Sequence, residues 1–313
     1  MKALILASLA GAFTLSGCAA FSDDAATGAS DGTVQVVAAF YPLQFVAQRV
    51  AGDRASVANL TQPGAEPHDL EIPPRQTAEI VEADLVVYEK DFQPAVDDAI
   101  EQNATGETID AAAVADLEPD DHDGHDHGSE DHGSQEHHEH GDLDPHFWQD
   151  PLRLAKVGDA VARQLDKVDP AHADEYAANA SRLRSDLESL AGSYDTGLAT
   201  CDRTTVVVSH DAFGYLAKYG LDMEPIVALS PGAEPTPADL ARLQDLIRTE
   251  GITTVFSERL VSPRLSQSLA TDMGITTAVL DPIEGLSDRT ADEDYLSLMK
   301  QNLAALRKAN ACR

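Results

Sequence analysis

Residues 170–198 read PAHADEYAANASRLRSDLESLAGSYDTGL. Pro170 suits the first turn of a helix. The apolar positions Tyr176, Ala180, Leu183, Leu187, Leu190 and Tyr194 then recur at steps of four, three, four, three and four. Such steps keep one helical face apolar. They predict a single helix of about 28 residues and about 42 Å, enough to run along one domain or to span two. A coiled-coil seam with a second copy is the alternative use of this face. His172 lies on this helix in PAHADEY and reads as a surface residue.

On both sides of the long helix the chain alternates between strand and helix signals. Upstream, TVQVVAAF at 33–40, the segment 55–60 and DLVVY at 84–88 read as strands, with helical patterns at 43–51, 74–83 and 91–102. Asp150-Pro151 starts a further helix, with Asp as cap and Pro at its first position. Its apolar face is Leu154, Val157, Val161, Leu165 and Val168. Downstream, TTVVVS at 204–209, 225–229, TTVFS at 253–257 and TTAVL at 276–280 read as strands. Helices are expected at 212–219, from Thr236-Pro237 to Gly251, from Ser262-Pro263 to Gly274, and over 292–309. This pattern gives an α/β fold of two lobes. Each lobe is a mostly parallel sheet flanked by helices, and the long helix joins them. The N-terminal lobe is expected over 33–150, the helical segment over 151–199 and the C-terminal lobe over 200–313.

Residues 1–17 put a single Lys2 before an apolar, small-residue run that is too short to span a membrane comfortably. The run ends LSGC. That ending resembles a bacterial lipoprotein signal, with Cys18 as the lipid-bearing first residue of the mature chain and 18–32 as a tether. The expected location is therefore outside the cytoplasm, on a lipid anchor at the outer face of the cytoplasmic membrane, at the cell surface or in a periplasm. In an oxidising compartment the two other cysteines, Cys201 and Cys312, read as a disulfide pair.

Net charge is −32 over 313 residues. Such an acidic chain disfavours nucleic acid and anionic membrane surfaces as ligands and attracts cations. Seven of the 11 histidines crowd into 122–140: His122, His125, His127, His132, His137, His138 and His140. They lie within an insertion, 119–142, that has almost no apolar residues. It reads as a flexible loop that attracts metal at low affinity rather than as a shaped site.

Four histidines remain. Besides His172, they are His68 in PGAEPHD, His146 in DPHFWQDP and His210 directly after the strand TTVVVS. Asp281 directly follows the strand TTAVL. In open α/β sheets ligands bind beyond the carboxyl ends of the strands, where His210 and Asp281 both fall, and His68 is in a loop after a strand. Three imidazoles and one carboxylate make a good tetrahedral zinc set.

These segments carry a resemblance. The chain is similar to the substrate-binding lipoproteins of metal ABC transporters, of the zinc-binding ZnuA-like type within the cluster A-I family. The matching pieces are PGAEPHDLEIPP, ADLVVYEKDF, the His-rich insertion, DPHFWQDP, VVVSHDAFGYLAKYG, GAEPTPADL, VFSERLVSP and AVLDPIEG, in the family's order from about 33 to 312. The resemblance implies two lobes around a metal in their cleft, with His68, His146, His210 and Asp281 as ligands. His68 and His146 would bind from the N-terminal side, His210 and Asp281 from the C-terminal side. Manganese-binding relatives usually carry Glu at the position of His210, so the nitrogen-rich set favours Zn²⁺ over Mn²⁺. Glu66 is a secondary ligand candidate, with Pro67 between it and His68, and Glu258 reads as a supporting residue beside the cleft.

The function implied is capture of Zn²⁺ by a monomer and its delivery to a membrane permease with a cytoplasmic ATPase, without catalysis. Affinity should fall below about pH 6.5, where free imidazole protonates. The alternatives are a manganese-binding member, a surface adhesin and an exported metallohydrolase. The last would need an open metal position and a base, and the chain has no HExxH helix and no GxSxG elbow between a strand and a helix.

Overall fold

The computed structural model describes residues 33–119 and 143–313. The expected leader, tether and Cys18, and the histidines from His122 to His140, lie outside the described residues.

The N-terminal lobe runs β1 (Val34–Ala38), α1 (Tyr41–Ala51), β2 (Ala55–Asn59), α2 (Pro74–Glu82), β3 (Leu85–Tyr88), α3 (Pro94–Asn103), β4 (Glu107–Asp110) and the short α4 (Ala111–Ala115). Its strands are all parallel, in the order β2-β1-β3-β4. The C-terminal lobe runs β5 (Thr205–His210), a 3-10 turn (Gly214–Tyr219), β6 (Asp222–Val227), α7 (Pro237–Glu250), β7 (Thr254–Ser257), α8 (Arg264–Met273), β8 (Thr276–Val279) and α9 (Tyr295–Ala309). It repeats the arrangement, all parallel, as β6-β5-β7-β8. The central strands β1, β3 and β5 are near-continuous runs of buried Val, Leu and Ala, as a sheet covered on both faces requires.

Two antiparallel-style neighbours, α5 (Pro151–Val168) and α6 (Ala173–Leu198), connect the lobes. Asp150 caps α5 through Leu152 N at 2.9 Å. In α6 all six apolar-face residues, Tyr176 to Tyr194, are buried. Truncating one of the leucines, such as Leu187→Ala, should cost about 2–5 kcal/mol. The two helices approach closely at Gly158, where a Cβ would meet Leu183 Cδ2 at 3.1 Å. At its far end α6 meets α9, with Tyr194 donating to the Met299 carbonyl at 2.7 Å. Cys201 and Cys312 are joined just beyond these two helix ends, with sulfurs 1.98 Å apart.

Some local expectations shift. Pro170 opens a 3-10 turn (Pro170–His172), and the α-helix begins at Ala173. His172 is about a third exposed and lies 2.6 Å from Asp169 through Nδ1. The helix expected at 212–219 is the 3-10 turn, and β6 begins at Asp222, three residues before the predicted strand. The N-cap of α8 is Pro263, without a side-chain cap bond. By contrast, Thr236 and Asp239 close a full capping box on α7. β4 and α4 are too short to have left a periodic signal.

Candidate metal centre

In each sheet the strand order reverses between its first and third strands in chain order, β1/β3 and β5/β7. Crevices at such points, beyond the carboxyl ends, are where α/β sheets hold ligands. His210 ends β5, and Glu258 directly follows β7. Glu258 Oε1 lies 2.6 Å from His210 Nδ1 and also accepts from the Ser209 hydroxyl.

On the N-terminal side the imidazoles come from loops. His146 precedes a 3-10 turn (Phe147–Gln149) and is fully buried. Asp144 Oδ1 takes both its backbone N–H and its Nδ1, each at 2.8 Å. Trp148 walls it at 5.3 Å between ring centroids, and Phe92 stands edge-on to His68 at 4.7 Å. His68 is held by backbone geometry: its N–H donates to the Glu66 carboxylate at 3.1 and 3.2 Å.

The three Nε2 atoms converge on one carboxylate oxygen. Glu284 Oε1 lies 3.5 Å from His68, 3.4 Å from His146 and 3.5 Å from His210. All four atoms lie within 4.8 Å of one another. Each is buried and has no hydrogen-bond partner. A tetrahedral ion with bonds of about 2.0–2.1 Å needs ligand–ligand edges of about 3.3–3.4 Å. Four desolvated ligand atoms without hydrogen-bond partners at that spacing could hold one metal ion. With Nδ1 of His146 and of His210 each turned to a carboxylate, Nε2 faces the centre, the usual support for a metal-binding imidazole.

Asp281, the carboxylate expected from the sequence, is not among the four clustered residues, and Glu284 stands in its place. Its Oδ2 pairs with Arg259 Nε at 2.8 Å, and its Oδ1 accepts from Ile283 N at 2.9 Å. Asn302 of α9 brackets its backbone, accepting from Asp281 N at 2.9 Å and donating to Asp281 O at 2.6 Å. The chain then turns through Pro282 and through Ile283, whose φ of +62° is left-handed. A β-branched residue there is strained. That turn brings the acid three positions on to the imidazoles. Both acids lie in the motif AVLDPIEG. Strand-end reasoning selects the first acid, and only the turn geometry selects the second. Asp144 carries a local signal of its own, since its place two residues before His146, ahead of a proline, favours a hydrogen bond to the backbone two residues on.

Glu66 turns its carboxylate to the His68 amide and is not among the four clustered residues. Burial and the nearby Glu284 push its carboxyl up to about 7. Burial of Asp281, opposed by the Ile283 amide and Arg259, leaves its carboxyl at about 6. Burial disfavours charge on both His146 and His210. The carboxylates facing them, Asp144 and Glu284 for the first and Glu258 and Glu284 for the second, outweigh it and lift them to about 9 and about 10. Burial wins at His68 and lowers it. Glu284 is fully buried, yet the three imidazoles keep its carboxyl well below the ordinary range. In the metal-free fold these shifts favour charge on His146 and His210 and disfavour it on His68.

Two α/β lobes closing on one buried set of three imidazoles and a carboxylate define a class: metal-binding proteins built around an interlobe cleft. The chain belongs to the family described as "ZnuA: Zinc-uptake complex component A periplasmic", whose model matches residues 36–309. It is 34% identical over 310 residues to the high-affinity zinc uptake system protein ZnuA of Bacillus subtilis (strain 168), covering 95% of this chain and 96% of that protein. It is also 34% identical over 296 residues to the zinc-binding lipoprotein AdcA of Streptococcus pneumoniae (strain ATCC BAA-255 / R6). That match covers 89% of this chain but only 56% of AdcA, so the chain spans little more than half of that relative. The crystal structure of the Zn(II)-bound ZnuA-like domain of S. pneumoniae AdcA superposes with a TM-score of 0.73 at 31% identity, covering 89% of this chain and 99% of that one.

Proposed function

We propose that this protein is the extracytoplasmic zinc-binding component of a metal ABC transporter. It captures Zn²⁺ between its lobes through His68, His146, His210 and Glu284 and delivers it to a membrane permease served by a cytoplasmic ATPase. The observation that carries this reading is the convergence of three buried, unpartnered Nε2 atoms on Glu284 Oε1 at 3.4–3.5 Å. Three nitrogens and one oxygen suit Zn²⁺ better than Mn²⁺. Four protein ligands fill a tetrahedral shell, whereas catalytic zinc keeps a position open. That supports a binding role over an exported metallohydrolase. The names of the relatives support zinc as the cargo and a lipid anchor on Cys18.

The His-rich stretch is proposed as an accessory, low-affinity collector, a reading that rests on composition. Its sites should be weak and should disappear from a calorimetric titration when 122–140 are deleted. A deletion variant that keeps every site would defeat that idea.

Zinc titration of the protein lacking 122–140 tests the main reading. It should give one tight site per chain, and His210→Ala should weaken that site by more than the roughly 100-fold that marks the loss of an outer partner. A single tight site that survives His210→Ala unchanged would remove these four residues as ligands. For delivery, a strain lacking the protein should fail to grow under zinc limitation and recover on added zinc.

A further inference from the structure

The loop that carries Glu284 leaves the C-terminal sheet at Asp281, yet its next residues are bonded to the other lobe. The Pro282 carbonyl accepts from Trp148 Nε1 at 2.7 Å and from Gln149 Nε2 at 2.6 Å. Tyr41 N donates to the Glu284 carbonyl at 3.4 Å, and Gly64 N to that of Leu286 at 2.7 Å. Trp148 is itself seated in the N-terminal lobe, 4.9 Å from Phe40 and 5.5 Å from Phe92 between ring centroids. Between these ties sits Ile283, fully buried and left-handed. A β-branched residue does not hold that conformation unless its surroundings impose it. The Pro282 carbonyl, clamped by two donors, is the peptide group immediately before it.

We infer that Trp148 and Gln149 are positioning residues for the carboxylate ligand, strapping the Glu284 loop to the N-terminal lobe. This rests on the four-residue zinc site proposed above. The strap ties Glu284, carried by the C-terminal half of the chain, to the lobe that presents His68. The loop of His146 is tied to both halves, through Trp148 to Pro282 and through the Asp144 carbonyl, which accepts from the Tyr215 hydroxyl at 2.7 Å. His210 is held by Glu258 in the C-terminal sheet.

The test is a set of double-mutant cycles read by zinc affinity, in competition with a chromophoric chelator, on the full chain. Trp148→Phe removes one donor and keeps most of the ring. Gln149→Leu removes the other at nearly constant volume. Should the tryptophan variant fail to fold by circular dichroism, Gln149→Leu alone carries the test. Outer partners of metal ligands are worth about 10–100-fold in affinity, and a loss in that range is expected for the pair. In a Glu284→Gln background the same substitutions should cost much less, because the carboxylate they position is already replaced. In a His210→Ala background they should cost as much as in the parent. A Co²⁺-loaded sample should show the same contrast, with visible bands altered by the strap variants only when Glu284 is present. A strap cost that is undiminished in Glu284→Gln, or that vanishes in His210→Ala, overturns the inference. Failure of the underlying zinc site looks different: the parent protein itself would show no tight binding for any variant to weaken.

Discussion

The two lobes are built on one plan, four parallel strands in the same order, yet they use the same position differently. In each lobe a glutamate directly follows the third strand, Glu89 after β3 and Glu258 after β7. Both are buried. Glu258 takes the Nδ1 of His210. Glu89 takes nothing, since neither of its carboxyl oxygens has a hydrogen-bond partner. The N-terminal lobe instead supports its buried imidazole with Asp144, from the loop that leads into α5. One fold therefore brings its clustered imidazoles in by two routes. The C-terminal lobe uses a strand end and its neighbour, and the N-terminal lobe uses loops packed against aromatic rings.

The sharpest way to break the comparison is to remove one imidazole from each route. His146→Ala and His210→Ala should each weaken zinc binding by more than the roughly 100-fold that marks the loss of an outer partner. Chelator competition on the protein lacking 122–140 reads both. If only one of them matters, the site belongs to a single lobe.

The supporting acids come next. Asp144→Asn and Glu258→Gln should each cost about 10–100-fold in affinity. They should also change how affinity follows pH. His146 and His210 are raised from 6.5 to about 9 and about 10 in the metal-free fold. Below those values zinc must displace protons, so affinity climbs with pH through this window and levels off above it. Free imidazoles would instead place the fall at about 6.5. The same shifts bear on stability with the opposite slope. Imidazolium in the metal-free cluster contributes stability that is fully present below 6.5 and lost as pH rises through about 9 to 10. Removing either acid should flatten the pH dependence of affinity at the imidazole it faces. Titrations in two buffers of different ionisation enthalpy count the protons released. Equal proton release in the parent and both variants would show that these acids do not set the imidazole charge.

Much of this was legible in the sequence, and the exceptions have physical causes. The long helix could be read because its apolar face repeats over six positions that all turn out buried. The sheets could be read because β1, β3 and β5 are apolar runs bounded by turn and cap residues. The three imidazoles stood out because the chain offers so few histidines beyond the insertion. The carboxylate did not, because sequence shows that a strand ends at Leu280 but not how the chain turns afterwards. Ile283 adopts a backbone conformation that no β-branched residue advertises. The ties from Trp148 and Gln149 join residues more than 130 positions apart, which no local pattern records.

Glu284 and Asp281 should give a smaller, discriminating effect. Glu284→Gln should change the visible spectrum of bound Co²⁺, because it alters an atom at the ion. Asp281→Asn should leave the spectrum nearly intact and lower affinity by about 10-fold, the lower end for an outer partner, through loss of the Arg259 pair. The reverse ranking would restore Asp281 as the ligand.

The smallest effect on zinc is expected at Glu89, and it bears most directly on the contrast between the lobes. Burial pushes this carboxyl well above its ordinary range, and repulsion from Asp144, Asp110 and Asp97 pushes the same way. The folded protein therefore holds a proton on Glu89 that the unfolded chain gives up at a lower pH. Its contribution to stability is fully present below the unfolded value near 4.5 and is lost as pH rises through the folded one. Glu89→Gln replaces a buried acid by a neutral side chain of the same shape. It should raise stability at pH 8 by about 1 kcal/mol or more and shift zinc affinity by less than the roughly 10-fold of an outer partner. Urea unfolding of the metal-free protein at pH 5 and pH 8 measures the first, and chelator competition the second. The gain should be larger at pH 8 than at pH 5. If Glu89→Gln instead weakens zinc binding as much as Asp144→Asn does, Glu89 serves the N-terminal imidazole as Glu258 serves His210, and the two lobes are functional as well as structural counterparts.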